Sequence, residues 1–314
     1  MSQRKILVLI EHSSPSSAAV RRAIALARSG RAKVSLCLFV HRASIDAIGH
    51  LNGAIAELAR ESLLSEARLW LHRQLQLLKD AGVEASAEAL WQRPQPAPML
   101  AKVRQLQPDL VIKDIQLETL PQRLLLNPLD WHLLRDSGCE IMLVNPESGP
   151  LPQRVIAAVD PLAAEHVAGQ LNERIVQAAR DLARLSDCPL ELVHAFEGMA
   201  PLTAVDPLGQ GAIYTELYEQ SRELSRQRFH DFANRQGLPA ECLHLLHGAP
   251  WMALADYAGE QPGDLLVLGS VQHHGLGQRL LGSTAERILD SAHCDLLLVR
   301  PGADLTTAGA GSTA

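Results

Sequence analysis

Aromatic residues make up only 4% of this chain, and no apolar run comes near the length a membrane-crossing helix needs, roughly 20 residues. Basic residues are not in excess either. Lys and Arg number 29 against 35 Asp and Glu, a net charge of −6, which excludes the basic footprint of a nucleic-acid-binding protein. The five cysteines (Cys37, Cys139, Cys188, Cys242, Cys294) are odd in number and form no C-x-x-C. They read as reduced, buried thiols of a cytoplasmic protein. Arg4-Lys5 is followed by too short an apolar run, residues 6–10, for a signal peptide. Two catalytic signatures are missing: the lysine of G-x-x-x-x-G-K-[ST] and the serine elbow G-x-S-x-G. Efficient ATP hydrolysis and serine-based hydrolysis therefore have no support.

What is present is an aliphatic core. Apolar residues are 47% of 314, enough for two domains of ordinary size, and long helices on a parallel sheet suit that composition. Short apolar runs alternate with helical stretches, the pattern of parallel βαβ units. In the first half, strands are expected at residues 5–10, 34–40, 84–90, 109–113 and 140–144. Helices are expected at 16–29, 45–80, 99–106 and from Asn127-Pro128, with a loop after the fourth strand. In the second half, strands are expected at 154–159, 190–194, 241–246, 265–268 and 296–299. One helix ends near Ser186, the next spans 213–236, and Gly248-Ala249-Pro250 opens another.

The halves are copies of one another. Residues 109–146 align without a gap on 264–301, matching Asp109 with Asp264, Leu134 with Leu289, Cys139 with Cys294 and Pro146 with Pro301. Residues 5–11 align on 154–160, so Glu11 corresponds to Asp160. Residues 1–146 and 154–301 are the expected domains, joined by a stiff link at 147–153 that contains Gly149, Pro150 and Pro152. Residues 302–314 lack periodicity and are expected to be disordered.

The richest stretch is 264–301. A buried strand leads into a glycine-broken loop, 269–282, and then into a helix with Ala285, Ile288, Leu289 and Ala292 on one face. Ser283 and Glu286 have the form of a capping box. Free amides and two hydroxyls, Ser283 and Thr284, at a helix start beyond a parallel strand suit an anion. Gly269, Gly282 and Ser283 follow the spacing G-x2-G-x9-G-[ST] except that Gln272 holds the middle glycine position. Its Cβ restricts positive φ and keeps the backbone further from a phosphate. In the first copy Asp114 stands for Gly269, Leu117 for Gln272, Asn127 for Gly282 and Pro128 for Ser283. The negative charge of Asp114 sets that half against phosphate.

On these residues the chain resembles the universal stress protein family, and its two-domain E-type members in particular. The segment Asn127-Pro128-Leu129-Asp130-Trp131-His132-Leu133-Leu134 resembles their T-D-W-H-L-L-R, and Gly282-Ser283-Thr284-Ala285-Glu286 their G-[NS]-T-A-E. The resemblance implies α/β architecture: two tandem doubly wound, five-stranded parallel sheets of order 3-2-1-4-5 with an adenine-nucleotide-hydrolase-like fold. It further implies a pseudo-dimer pairing the last strands of the halves, homodimers, and an adenine nucleotide such as ATP, with Mg or Mn, as ligand. The nucleotide residues it implies are Asp160 near the ribose, the backbone of Val193, His194 and Ala195 at adenine, and Leu268, Gly269, Gln272, Gly282, Ser283 and Thr284 around the phosphates.

Other readings stay open. Gly282-Ser283-x-x-Glu286 is also a plain helix cap, and Asp160 is also an ordinary turn residue. A binder of a non-nucleotide, apolar ligand or of a partner protein, with a relic glycine loop, and a slow ATP hydrolase are the rivals to a non-enzymatic nucleotide-binding stress protein. His244-x-x-His247 and His273-His274 raise a metal reading, but no cysteine lies at ligand spacing. Trp131 and Trp251 open helices as packing residues.

Overall fold

In a computed structural model of the chain, the described residues are 3–11, 17–30, 32–115, 117–120, 123–126, 128–162, 168–197, 211–270, 287–288 and 294–301. They form two compact units, Met1–Leu151 and Pro152–Ala314.

In the first unit, β1 (Lys5–Ile10), β2 (Lys33–Val40), β3 (Ala85–Trp91), β4 (Leu110–Asp114) and β7 (Glu140–Val144) pair in parallel in the order β3-β2-β1-β4-β7. The apolar runs of β1, β4 and β7 are buried because helices cover both faces. One of these helices, α1 (Ala18–Gly30), buries Ala19, Val20, Ala23, Leu26 and Ala27, a stripe at helical spacing. The second unit repeats the order with β8 (Arg154–Ala158), β9 (Leu190–Phe196), β10 (Leu243–His247), β11 (Asp264–Gly269) and β12 (Asp295–Val299), as β10-β9-β8-β11-β12. Its helices α6 (Ala168–Ser186), α7 (Gly211–Arg235) and α8 (Pro250–Ala258) carry the crossovers. The expected doubly wound order is thus present in both units. The helices expected to end at residues 80 and 236 end at Asp80 and Arg235, and Gly82 and Gly237 just beyond them stand at positive φ that other residues resist.

Four local expectations are corrected. The single helix expected over 45–80 is two, α2 (Ala43–Gly49) and α3 (Gly53–Asp80). The break falls at Asn52, whose extended backbone and side chain, accepting from the Ile55 N–H at 3.2 Å, start α3 afresh. The loop expected after the fourth strand is instead an antiparallel hairpin, β5 (Leu117–Leu120) with β6 (Arg123–Leu126), before α5 (Pro128–Asp136). The strand expected over 241–246 starts later, because residues 240–242 form a 3-10 turn. Helix α4 (Pro96–Leu106) starts three residues before the predicted 99, with proline in its first turn.

Candidate functional site

Because the strands are parallel, the carboxyl ends of β8, β9 and β11 lie along one edge of the second unit's sheet. That edge is the usual ligand crevice of a doubly wound fold. Asp160 follows β8 there, exposed. The buried Asn172 side chain of α6 bonds its backbone in both directions, accepting from the Asp160 N–H at 3.2 Å and donating to the Asp160 carbonyl at 2.7 Å. The Asp160 carboxylate accepts from the Leu162 N–H at 3.1 Å, a turn-closing bond that leaves its second oxygen available.

His194 and Ala195 lie within the β9 ladder, which continues to Phe196, so both are strand residues opposite Leu245 and Leu246. The His194 side chain points inward. Its Nδ1 lies 3.1 Å from the Val159 carbonyl, which can only accept, so Nδ1 carries the proton. Nε2 then accepts from the hydroxyl of Ser225 on α7, 2.9 Å away. Burial pushes the His194 pKa down from its ordinary value, against smaller opposing effects of Val159 and Asp160. The histidine thus ties α7 to the residue preceding Asp160.

Leu268 is buried and Gly269 closes β11. A Cβ at Gly269 would stand 2.7 Å from Leu171 Cδ2 and 2.9 Å from Ile175 Cδ1, both on α6. Glycine here admits the helix to the strand end, a packing requirement separate from any phosphate. Gln272, Gly282, Ser283 and Thr284 lie outside the described residues, as do His273-His274 and the tail at 302–314.

The first unit's equivalent edge is built differently. Lys113 at the end of β4 is buried, its ammonium paired with Glu11 and 2.8 Å from Asp130 Oδ1 on α5, and it donates to the Asp114 carbonyl at 3.0 Å. Burial alone would lower the Lys113 pKa, but Asp130 and Glu11 outweigh it and the net direction is upward. Next to it, Asp114 accepts from Ser17 Oγ and from the Ala19 N–H, each at 2.7 Å, at the start of α1. Sequence reasoning placed the charges of Glu11 and Asp114 at this edge and missed Lys113 as their centre. The signal was there: Lys113 is the first charge after the apolar run 110–112, and a charge at a buried strand end needs partners. Its counterpart in the second copy is Leu268.

A second network was not anticipated. Arg154 grips Asp264 with two bonds of 3.0 and 2.6 Å, Glu191 at 3.2 Å and the Tyr257 carbonyl at 3.0 Å. It sits at the amino ends of β8 and β11, away from the ligand edge, and ties strands together. His244 packs on Tyr257. Among the described residues no cluster of His, Cys, Asp or Glu is arranged to hold a metal.

Comparison with known proteins adds to this geometry. The model of the family described as "Universal stress protein family" matches residues 3–145 and again 153–300. The chain belongs to the universal stress protein family. It holds two such domains in tandem, as the duplication predicts. Universal stress protein E of Escherichia coli K12 is 25% identical over 308 residues, covering 95% of this chain and 94% of that protein. A homologue in Haemophilus influenzae is 24% identical over 314 residues, covering 96% and 98%. Among solved structures, a functionally unknown protein of Pseudomonas aeruginosa PAO1 superposes with a TM-score of 0.72 at 23% identity, covering 96% of this chain and 93% of that one. A universal stress protein of Archaeoglobus fulgidus gives 0.57 at 16% identity, covering 94% and 98%. These likenesses establish the fold.

Proposed function

We propose that this protein is a non-enzymatic tandem universal stress protein of a bacterial stress response in which only the second unit takes an adenine nucleotide. One observation carries the reading: the two equivalent edges are charged in opposite senses of availability. In the first unit Lys113, Glu11 and Asp130 close on one another with side chains at most 4% exposed, and the Asp114 carboxylate occupies the helix start. In the second unit Asp160 stands exposed, Leu268 replaces the lysine, and Gly269 carries no charge. Ribose would meet Asp160, adenine the end of β9, and the phosphates the loop holding Gln272, Gly282, Ser283 and Thr284. Mg or Mn would accompany the triphosphate.

The non-enzymatic part rests on the absence of a P-loop lysine and a serine elbow in the sequence. Native mass spectrometry of the purified full chain, before and after addition of ATP, tests the ligand. One bound adenine nucleotide per chain is expected. A retained ligand of another class, with no ATP uptake, would replace the reading by a non-nucleotide binder. Phosphate release measured with and without Mg or Mn tests hydrolysis, and turnover above background would make the protein a slow ATP hydrolase.

A further inference from the structure

The first unit's altered edge has a second consequence, independent of nucleotide binding. Arg21 and Arg22 lie in the first turns of α1, and both reach the segment 146–150 that leads out of β7. Arg21 Nη2 donates to the carbonyls of Ser148 at 2.9 Å and Pro146 at 3.5 Å. Arg22 is fully buried, donating from Nε to the Pro150 carbonyl at 2.8 Å and from Nη2 to the Gly149 carbonyl at 3.2 Å. A third nitrogen, Nη1, lies 3.9 Å from the Met142 sulfur. An arginine buried this deeply needs its donors used, and backbone carbonyls of the connecting segment use them.

The helix turn that carries these arginines is fastened at its other end by Asp114. Its carboxylate accepts from Ala19 N–H and Ser17 Oγ, Ser17 Oγ accepts from the Val20 N–H at 3.2 Å, and the Ser17 carbonyl accepts from the Arg21 N–H at 3.1 Å. Two hydrogen bonds and one residue therefore separate the Asp114 carboxylate from the Arg21 backbone.

We infer that Asp114, standing where the second copy has Gly269, is the latch of a linker clamp: by fixing the start of α1 it holds Arg21 and Arg22 on the connecting segment 146–150. In the first copy the edge serves to order the interdomain connection. The clamp is internal and constant, with no small molecule required. Release at Asp114 would loosen the first turn of α1, withdraw the arginines and free the segment.

Hydrogen exchange of the full-length protein tests this, read at the amides of Glu147 and Ser148, which bond to Asn145 when the segment is ordered. Cleavage after Glu147 by a glutamate-specific protease is a second readout. Arg22→Ala and Asp114→Ala are each expected to speed both, roughly tenfold, with thermal unfolding still cooperative. The double variant should be no faster than the faster single one, because both break one device. Should Asp114→Ala fail to fold, Asp114→Asn keeps the shape while setting an amide donor against the Ser17 hydroxyl, and should show the same rise in smaller measure. Faster exchange at Ala19 with unchanged exchange at Glu147 and Ser148 in the Asp114 variants would overturn the inference, as would strictly additive effects in the double variant.

Discussion

Leu171 of α6 lies so close to Gly269 that an added Cβ would fall 2.7 Å from Leu171 Cδ2, and the leucine side chain would have to shift to admit it. The first glycine of the family loop pattern thus has a duty in packing α6 on β11, whatever the loop binds. Gly269→Ala should destabilise the second unit by about 1–3 kcal/mol through overpacking, with ATP absent. Denaturant unfolding checks this. Adding Leu171→Ala should recover part of the Gly269→Ala loss, because the shortened side chain opens the space.

The buried triad of the first unit makes a different prediction. Lys113→Met leaves Glu11 and Asp130 buried with their cation gone, and should cost about 3–5 kcal/mol of stability. Replacing all three by apolar residues of similar size should recover most of that loss. A lysine whose folded pKa is raised contributes fully below its unfolded value of 10.5, and that contribution is lost as pH rises through the folded value. Unfolding curves across neutral pH should therefore show no trend attributable to Lys113, with any loss confined to the alkaline side.

His194 acts in the opposite direction. Its folded pKa lies below the ordinary 6.5, so the unfolded chain takes up the proton first. Stability tied to His194 is full above pH 6.5 and falls as pH drops below it, by at most about 1.4 kcal/mol per pH unit. His194→Gln should flatten this part of the acid limb, read as the difference between wild type and variant in unfolding midpoints from pH 7.5 to 5. Identical slopes would mean that another group dominates.

The parallel sheets were legible because their central strands are covered on both faces, which leaves unbroken apolar runs such as 6–10 and 265–268. Gly82 and Gly237 marked helix ends through their backbone freedom. The break at Asn52 was hidden because Ile48, Leu51 and Ile55 keep a helical rhythm across it, although the structure leaves all three exposed. The hairpin formed by residues 117–120 and 123–126 was hidden because strands of four residues are too short to show a period-2 pattern. At the site, the strand-end positions followed from the topology. The partners of Lys113 did not, because Glu11, Lys113 and Asp130 are far apart in sequence and only the fold brings them together. The packing duty of Gly269 was equally out of reach, since it depends on how closely α6 approaches β11.

Gln272 departs from the family spacing, and under the proposal it is the residue expected to limit affinity. Gln272→Gly removes a Cβ and frees positive φ, and should tighten ATP binding roughly tenfold, about 1.4 kcal/mol. Weaker binding would mean that the glutamine amide itself holds the ligand. Calorimetric titration of the two proteins distinguishes these outcomes.

The most direct measurement of the central claim, an open second site beside a closed first one, is the stoichiometry of ATP binding to three proteins by titration calorimetry: wild type, Gly282→Asp and Asn127→Asp. Under the proposal, a carboxylate at residue 282 would oppose phosphate in the second unit, whereas residue 127, its counterpart in the sequence alignment, belongs to the copy whose edge holds Lys113, Glu11, Asp130 and Asp114. The account predicts one site per chain in the wild type, none in Gly282→Asp, and one of unchanged affinity in Asn127→Asp. Two sites in the wild type, or equal loss from both substitutions, would contradict it.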